Sequence, residues 1–437
     1  MNRSLDNSFS YLEKSRKLIP ALTQTFSRSA STFVEGIFPV YAKRANGSHF
    51  IDVDDNEYVD YLCALGPIIL GYCYPRVNDS IKEQLEDGIL FSLPHKLEID
   101  VSELLCKMVP CAEMVKFSKT GSGSATGAIR GARALTNRDK IAYCGSGGIW
   151  HDWYATIISR NQGVPDFNKN LILPFDYNDI DALEYIFENN KEEIACVFME
   201  ATIFEKPEAD FLKKVKKLAK DNGAVLIFDE IVTGFRLAKG GAQEFFGIEP
   251  DITVLGKGIA NGMPLSAVVG KSEFMKIFDD VFFSTTYASD TLSLAAAKAT
   301  IMEINEKPVI KRIWENGSQL MEEFNKITKE NSLDIELLGY PVRMKIIGKD
   351  SQGNDSILLR SLLIQELVKR GIFMHPGVAF ISYSHTKEDI KLTLNALSDS
   401  IPTIKKAVVE DKLMSYLDGK PSKPVYSVIK PSIKKPD

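Results

Sequence analysis

From about residue 110 to 300 the chain alternates short apolar runs, rich in β-branched residues, with longer stretches of helical periodicity. That alternation predicts βα units and a mostly parallel, doubly wound α/β sheet. The clearest strand-like runs are residues 194–199 (IACVFM), residues 224–228 (AVLIF) after Gly223, and residues 252–255 (ITVL). Between the first two, FLKKVKKLAKD at 211–221 places apolar residues on one helical stripe and lysines on the other. Ahead of this core, residues 50–61 (FIDVDDNEYVDY) alternate apolar and polar positions around an acidic turn and read as a hairpin. Beyond it, residues 305–410 mix strands and helices and end in an amphipathic helix starting near Thr386. The last stretch, DGKPSKPVYSVIKPSIKKPD, is rich in lysine and proline and reads as an extended or disordered tail. The expected layout is therefore an N-terminal segment (1–75) joining a smaller α+β domain, a large domain (76–304), the C-terminal small domain (305–416) and a tail (417–437).

Composition narrows the function classes. The 437 residues are 44% hydrophobic and 25% charged, enough apolar material for one large domain and a smaller one. Fifty-eight acids and 53 bases leave a net charge of −5, with no basic field to gather nucleic acid or an anionic membrane surface. The six cysteines contain no C-x-x-C pair and read as reduced cytosolic thiols, neither a disulfide framework nor a metal site. The first residues are polar and charged, and no apolar run approaches the roughly 18 residues of a membrane span. A cytoplasmic protein with small-molecule partners is the expectation.

Ligands of open α/β sheets bind outside the carboxyl ends of the strands, so chemistry is sought in the turns there. Asp229 and Glu230 directly follow AVLIF, and at least one carboxylate must stand at that strand end. The alternative is a helix cap or a surface ion pair. Lys257 follows ITVL and lies between Gly256 and Gly258. Flanking glycines allow close backbone approach and suit a lysine aimed into a cleft, where burial makes it a Schiff-base nucleophile; a surface loop is the alternative. A third element, KFSKTGSGS (116–124), opens a helical stretch at 125–136. Free N–H groups and the helix dipole there favour an anion, against the alternative of a flexible turn. The text fits neither dinucleotide nor P-loop spacing. An acid for a pyridine nitrogen, a lysine for an aldehyde and a turn for a phosphate together fit one cofactor, pyridoxal 5′-phosphate.

Through LIFDEIVTGFR and LGKGIANGMP the sequence resembles the class III (fold type I) PLP-dependent aminotransferases over roughly residues 25 to 410. Within them it is similar to the glutamate-1-semialdehyde aminomutase branch. The resemblance implies that Lys257 forms the Schiff base with the cofactor and that Asp229 keeps the pyridine nitrogen protonated. It also implies that Ile231 packs on one ring face and that Gly121 and Ser122 hold the phosphate. Thr286, in FFSTTYASD, corresponds to the threonine that reaches the phosphate of a neighbouring subunit, which implies a homodimer. Glu200 corresponds to the strand-end Glu-Pro, with Ala201 in place of the proline.

Departures matter as much. Many relatives carry Tyr-His-Gly after the strand, the tyrosine stacking on the cofactor; this chain reads Cys144-Gly-Ser-Gly-Gly-Ile-Trp150-His151-Asp152-Trp153. Trp150 is a substitute stack and His151 a candidate for proton transfer, or the tryptophans are core or lid residues. The aminomutases' S-P-V-R-A-F arginine is absent from Ser29-Ala-Ser-Thr-Phe33, and Gly377 stands where they carry a glutamate. Those losses favour transamination from an amino donor to a keto or aldehyde intermediate over 2,1-aminomutase chemistry. The stretches WHDWY and LDGKPSKPVY resemble relatives in cell-surface polysaccharide and other specialised biosynthesis.

Overall fold

The computed structural model describes residues 3–145 and 149–429 of the chain. Contacts divide it into two units. Unit one takes Met1–Tyr74 and Lys311–Val425, and unit two takes Pro75–Ile310 and Tyr426–Asp437. The joins expected from sequence fell after residues 75, 304 and 416.

Unit one begins with β1 (Ala42–Asn46), β2 (His49–Asp52) and β3 (Glu57–Asp60), a meander in which the expected hairpin is β2 against β3. Its register sets His49 opposite Val59 and Phe50 opposite Tyr58. The acidic turn has a structural reason. Buried Asp52 accepts from the backbone N–H groups of Asp54 (2.9 Å) and Asn56 (2.8 Å) and from the Tyr58 hydroxyl (3.2 Å), so one carboxylate folds the turn back on itself. β1 went unread because its residues, AKRAN, are mostly exposed.

Unit two carries seven strands: β4 (Met114–Ser118), β5 (Lys140–Cys144), β6 (Ile172–Pro174), β7 (Ile194–Met199), β8 (Val225–Glu230), β9 (Ile252–Leu255) and β10 (Ser266–Gly270). They lie in the order β4-β10-β9-β8-β7-β5-β6, and only β10 runs against its neighbours. Every residue of β7 and β8 is buried, which is why both read as unbroken apolar runs rather than alternating ones. The helix Phe211–Asp221 buries Phe211, Leu212, Val215 and Ala219 and leaves its lysines outward. The helix expected at 125–136 begins earlier, at Gly121, with Thr120 as N-cap accepting from the Gly123 N–H at 3.0 Å. Its small residues permit close packing: a Cβ at Gly127 would fall 2.6 Å from the Phe283 ring.

The chain returns to unit one with β11 (Ile335–Tyr340), β12 (Arg343–Gly348), β13 (Ile372–Phe373) and β14 (Ala379–Phe380). β13 adds parallel to β3, and β11-β12-β14 form a separate sheet. The expected terminal helix spans Lys387–Val409, opened by a capping box between Thr386 and Asp389. Of the segment read as a tail, residues 417–429 are described and held by contacts, and 430–437 lie outside the described residues. Ser422 is buried against Ser361 in unit one, and in unit two Val428 pairs with Ile158 while the Ile429 N–H donates to the Ile157 carbonyl at 2.7 Å. Among the described residues no helix is long and apolar enough to cross a membrane.

Asp389 also anchors a titratable cluster. Its carboxylate accepts from the Ser48 hydroxyl and faces His49 Nε2, both at 2.8 Å, while His49 Nδ1 faces Glu57 at 2.9 Å. A carboxylate at each ring nitrogen favours the imidazolium, and the hydrogen bond to Asp389 first of all raises the His49 pKa against the opposing effect of burial. A raised histidine pKa adds stability that is fully present below about pH 6.5, the unfolded value, and is lost as pH rises through the folded one. Urea midpoints measured across that window should therefore fall more steeply for the parent protein than for His49→Gln; parallel curves would show that the cluster contributes nothing.

Candidate active site

β4, β5, β7, β8 and β9 point the same way, so their carboxyl ends share one edge of the large sheet. That edge receives almost every residue singled out from sequence. β4 ends at Ser118 and leads through Lys119 and Thr120 into Gly121 and Ser122; β7 leads into Glu200; β8 ends with Asp229 and Glu230; β9 leads through Gly256 into Lys257. The ladder keeps these ends level, with Cys144 opposite Met199, Met199 opposite Phe228, and Glu230 opposite Leu255. Glu200 prolongs it, its N–H donating to the Cys144 carbonyl at 3.1 Å.

The adjacent acids part company. Successive strand residues face opposite sides of a sheet. Glu230 is fully buried and accepts from the N–H groups of Ala242 and Gln243, from Gln243 Nε2 and from the Thr233 hydroxyl. It is the helix-cap reading realised, tying β8 to the start of Ala242–Phe246. Burial pushes its pKa up and those donors pull it back. Asp229 is 7% exposed, and its Oδ1 accepts from the Ile231 N–H at 3.0 Å.

Ile231 joins the remaining elements. A Cβ on Gly121 would lie 2.6 Å from Ile231 Cδ1, and one on Gly256 would lie 3.4 Å from its Cγ2. A Cβ at the first of these positions would force the Ile231 side chain to move, so the turn at Gly121, the aliphatic residue two after Asp229 and the residue before Lys257 pack together. From sequence, the unusual dihedrals are expected at the glycines around Lys257. The backbone corrects this: Gly256 is extended, at φ −171°, and Lys257 itself holds φ +42°, in the left-handed region that β-carbon-bearing residues avoid.

Trp150 is 72% exposed, its ring 4.3 Å from that of His151. His151 Nδ1 is 2.6 Å from Thr126 Oγ1, to which Trp153 Nε1 also donates at 2.9 Å, so this pair is fastened to the helix Gly121–Thr136. Burial pulls the His151 pKa down. Residues 146–148 of the same loop lie outside the described residues. Thr286 is on an exposed turn and is not among the residues at the strand edge.

Sequence reading missed two neighbours. Tyr143, on β5, is fully buried, and burial first, with the Tyr154 phenol and the Glu200 and Asp229 carboxylates behind it, pushes its pKa well up. Nothing in the run KIAYC distinguishes it from a core aromatic. Lys119 lies within the turn 116–124, where the glycines and hydroxyls carry the anion signal. Its Nζ donates to the Pro264 carbonyl at 2.9 Å and to the Ser293 hydroxyl at 3.0 Å, and it pairs with Asp290. Burial alone pulls this ammonium down to about 8, and the Asp290 contact opposes that.

The residues fit pyridoxal phosphate. A helix N-terminus stripped of any Cβ at Gly121 offers a phosphate cradle, the buried Asp229 a partner for a protonated pyridine nitrogen, and Lys257 an amine for the aldehyde. Fold and site together define a PLP-dependent transferase. Residues 32–401 match the class-III aminotransferases, and the chain belongs to that family, whose members transfer an amino group from an amino donor to a keto acceptor. It is 34% identical over 411 residues to the 3-aminobutyryl-CoA aminotransferase of Cloacimonas acidaminovorans, covering 92% of this chain and 98% of that protein. It is 32% identical to the glutamate-1-semialdehyde 2,1-aminomutase of Methanococcoides burtonii, covering 90% and 98%. Among solved structures, the PLP internal aldimine form of the FumI protein of Sphingopyxis sp. MTA144 superposes with a TM-score of 0.86 at 26% identity, over 92% of this chain and 98% of that one.

The split between the acids is measurable. Glu230→Leu strands several buried donors and should cost about 3 kcal/mol or more in urea unfolding, at about 1 to 3 kcal/mol for each group left unsatisfied. Asp229→Asn should cost under about 1 kcal/mol. Equal losses would mean that both acids hold the fold.

Proposed function

We propose that Lys257, Asp229, Gly121, Ser122 and Ile231 form the PLP site of a transaminase acting on a small biosynthetic intermediate. The observation that carries this is the interlock of Gly121, Ile231 and Gly256 beside Asp229 at one sheet edge. When bound, the cofactor supplies an electron sink that lets the proton on a substrate's Cα leave. Asp229 holds the proton on the ring nitrogen, the condition for that sink. Lys257 Nζ would hold the cofactor's aldehyde and, as a free amine once a donor is bound, would move the donor's Cα proton. Ile231 braces one ring face. Gly121 and Ser122 meet the phosphate with backbone N–H groups and a hydroxyl, and Thr286 does so from a second chain. Glu200 stands beside the Gly145 turn, its Oε1 3.6 Å from where a Cβ there would sit, and limits the site on the β7 side. Trp150 covers the site's outer face in place of the family tyrosine.

Two features support a homodimer. Thr286 lies on an exposed turn, and Thr291 just beyond it bonds to the carbonyls of Gly88 and Ile89, where Ile89, Leu90, Phe91 and Leu93 leave much of their apolar surface open. A cytoplasmic location fits the free cysteines. The relative acting on 3-aminobutyryl-CoA supports substrates outside the α-amino acids, and a role in cell-surface polysaccharide or other specialised biosynthesis fits the sequence resemblance. Aminomutase chemistry is disfavoured at both departures: Ser31 is engaged through its carbonyl by the Lys423 N–H, and the Gly377 N–H is turned onto His375.

Borohydride reduction and peptide mapping should place the pyridoxyl group on Lys257, with no label in Lys257→Ala; a label elsewhere overturns the assignment. Asp229→Asn should retain the cofactor and lose about 10²-fold in half-reaction rate with amino donors. Glutamate-1-semialdehyde should not be isomerised. Sedimentation should give a dimer, and a fully active, cofactor-loaded monomer would remove Thr286 from the site.

A further inference from the structure

Lys119 connects the last residue of β4 to Thr120, the N-cap of Gly121–Thr136. Its ammonium carries three protons and meets three acceptors from two other stretches of chain: the Pro264 carbonyl, the Ser293 hydroxyl and the Asp290 carboxylate. Pro264 lies just past the helical turn Lys257–Ala260. Asp290 is the N-cap of Thr291–Glu306, its Oδ1 accepting from the Ser293 N–H at 3.1 Å. The Asp290 N–H in turn donates to the Tyr287 carbonyl at 3.2 Å, and the Ala288 N–H to the Thr285 carbonyl at 3.0 Å. The carboxylate that Lys119 grips therefore closes the turn that carries Thr286. With its Lys119 side chain only 19% exposed and its donors all engaged, the ammonium has one orientation, and the three segments cannot shift independently of it.

We propose that Lys119 is a positioning residue that couples the phosphate turn at Gly121 and Ser122 to the Thr286 turn, so that cofactor binding and chain association are linked through it. The inference rests on the reading of this site as a PLP site shared between two chains. The physical reason is reciprocity. If the phosphate orders the Gly121 turn, the Lys119 ammonium is fixed with it and holds Asp290 and the Thr285–Asp290 turn in the geometry that meets a second chain. Association must then tighten cofactor binding by the same factor. A lysine that merely stabilised the fold would raise stability without making one equilibrium depend on the other.

The test is the dimer dissociation constant of the full-length protein by sedimentation, with and without pyridoxal phosphate, for the parent and for Lys119→Met. The parent dimer should tighten about 10-fold on adding the cofactor, within the usual range of such couplings, and the ratio for Lys119→Met should fall to about 2-fold or less. A ratio in Lys119→Met equal to the parent's overturns the proposal. Should that variant not fold, Asp290→Asn keeps an N-cap while weakening the same contact, and it is held to the same ratio. Borohydride labelling of Lys257 is run alongside. A labelled parent whose dimer ignores the cofactor overturns the coupling alone, whereas an unlabelled parent overturns the PLP reading and the coupling with it.

Discussion

A buried carboxylate must be met by donors, and two adjacent ones at the end of β8 cannot be met in the same way. Burying an unpaired charge costs several kcal/mol, so each acid exists in its folded position only because something answers it. Glu230 is answered wholly by the protein, with backbone and side-chain donors from the segment 233–243. That closure brings the chain after the LIFDEIVTGFR motif back under the strand and fixes the strand end. Asp229, on the opposite face, receives the Ile231 N–H. One acid ties the strand end to the scaffold, and the other stands on the face where the proposed cofactor site lies.

The same economy of space governs the backbone around Ile231. An aliphatic side chain pressed between Gly121 and Gly256 makes the phosphate-type turn and the lysine-bearing turn settle at a common distance, set by van der Waals contact and not by a flexible loop. Lys257 then leaves β9 in a left-handed conformation. Such a conformation costs on the order of 1 kcal/mol for a residue with a Cβ and persists only where the surroundings over-determine it. Here the buried Gly258, Ile259 and Ala260 do so, packing the following turn before the lysine side chain has any say in its direction.

What the sequence made legible follows from period and chemistry. β7, β8 and β9 were readable because burial on both faces leaves an unbroken apolar run, and Asp229 and Lys257 because they terminate such runs. Gly121 was readable as part of a hydroxyl and glycine turn, but not the reason for it, since the Ile231 contact joins residues over a hundred positions apart. β1 was unreadable because exposed strands carry no apolar pattern. Lys119 and Tyr143 were overlooked for a related cause: a lysine beside a turn and a tyrosine in a strand are ordinary until tertiary contacts give one three acceptors and put the other beside two carboxylates. The segment after residue 416 looked free because lysine and proline dominate its composition, yet among its described residues Ser422 and Tyr426 to Ile429 are held by contacts.

Those last residues bear on the acids from the far side. Tyr143 packs against Tyr154, with ring centres 5.3 Å apart, and Trp153 lies 5.5 Å from Phe198, an aromatic layer behind the strand ends that hold Glu200 and Asp229. Tyr426 packs on this cluster, its phenol raised by burial, eased by a hydrogen bond with Tyr154 and raised again by the Glu200 carboxylate. A phenol beside a carboxylate in an apolar wall stays protonated. The backbone bonds that Ser427 and Ile429 make with Ser159 and Ile157 hold Tyr426 in that position. They also brace the stretch just after Trp150, the most exposed of the aromatic residues singled out for the site. Residues 426–429 thus pack against the aromatic layer behind the strand end that leads into Glu200.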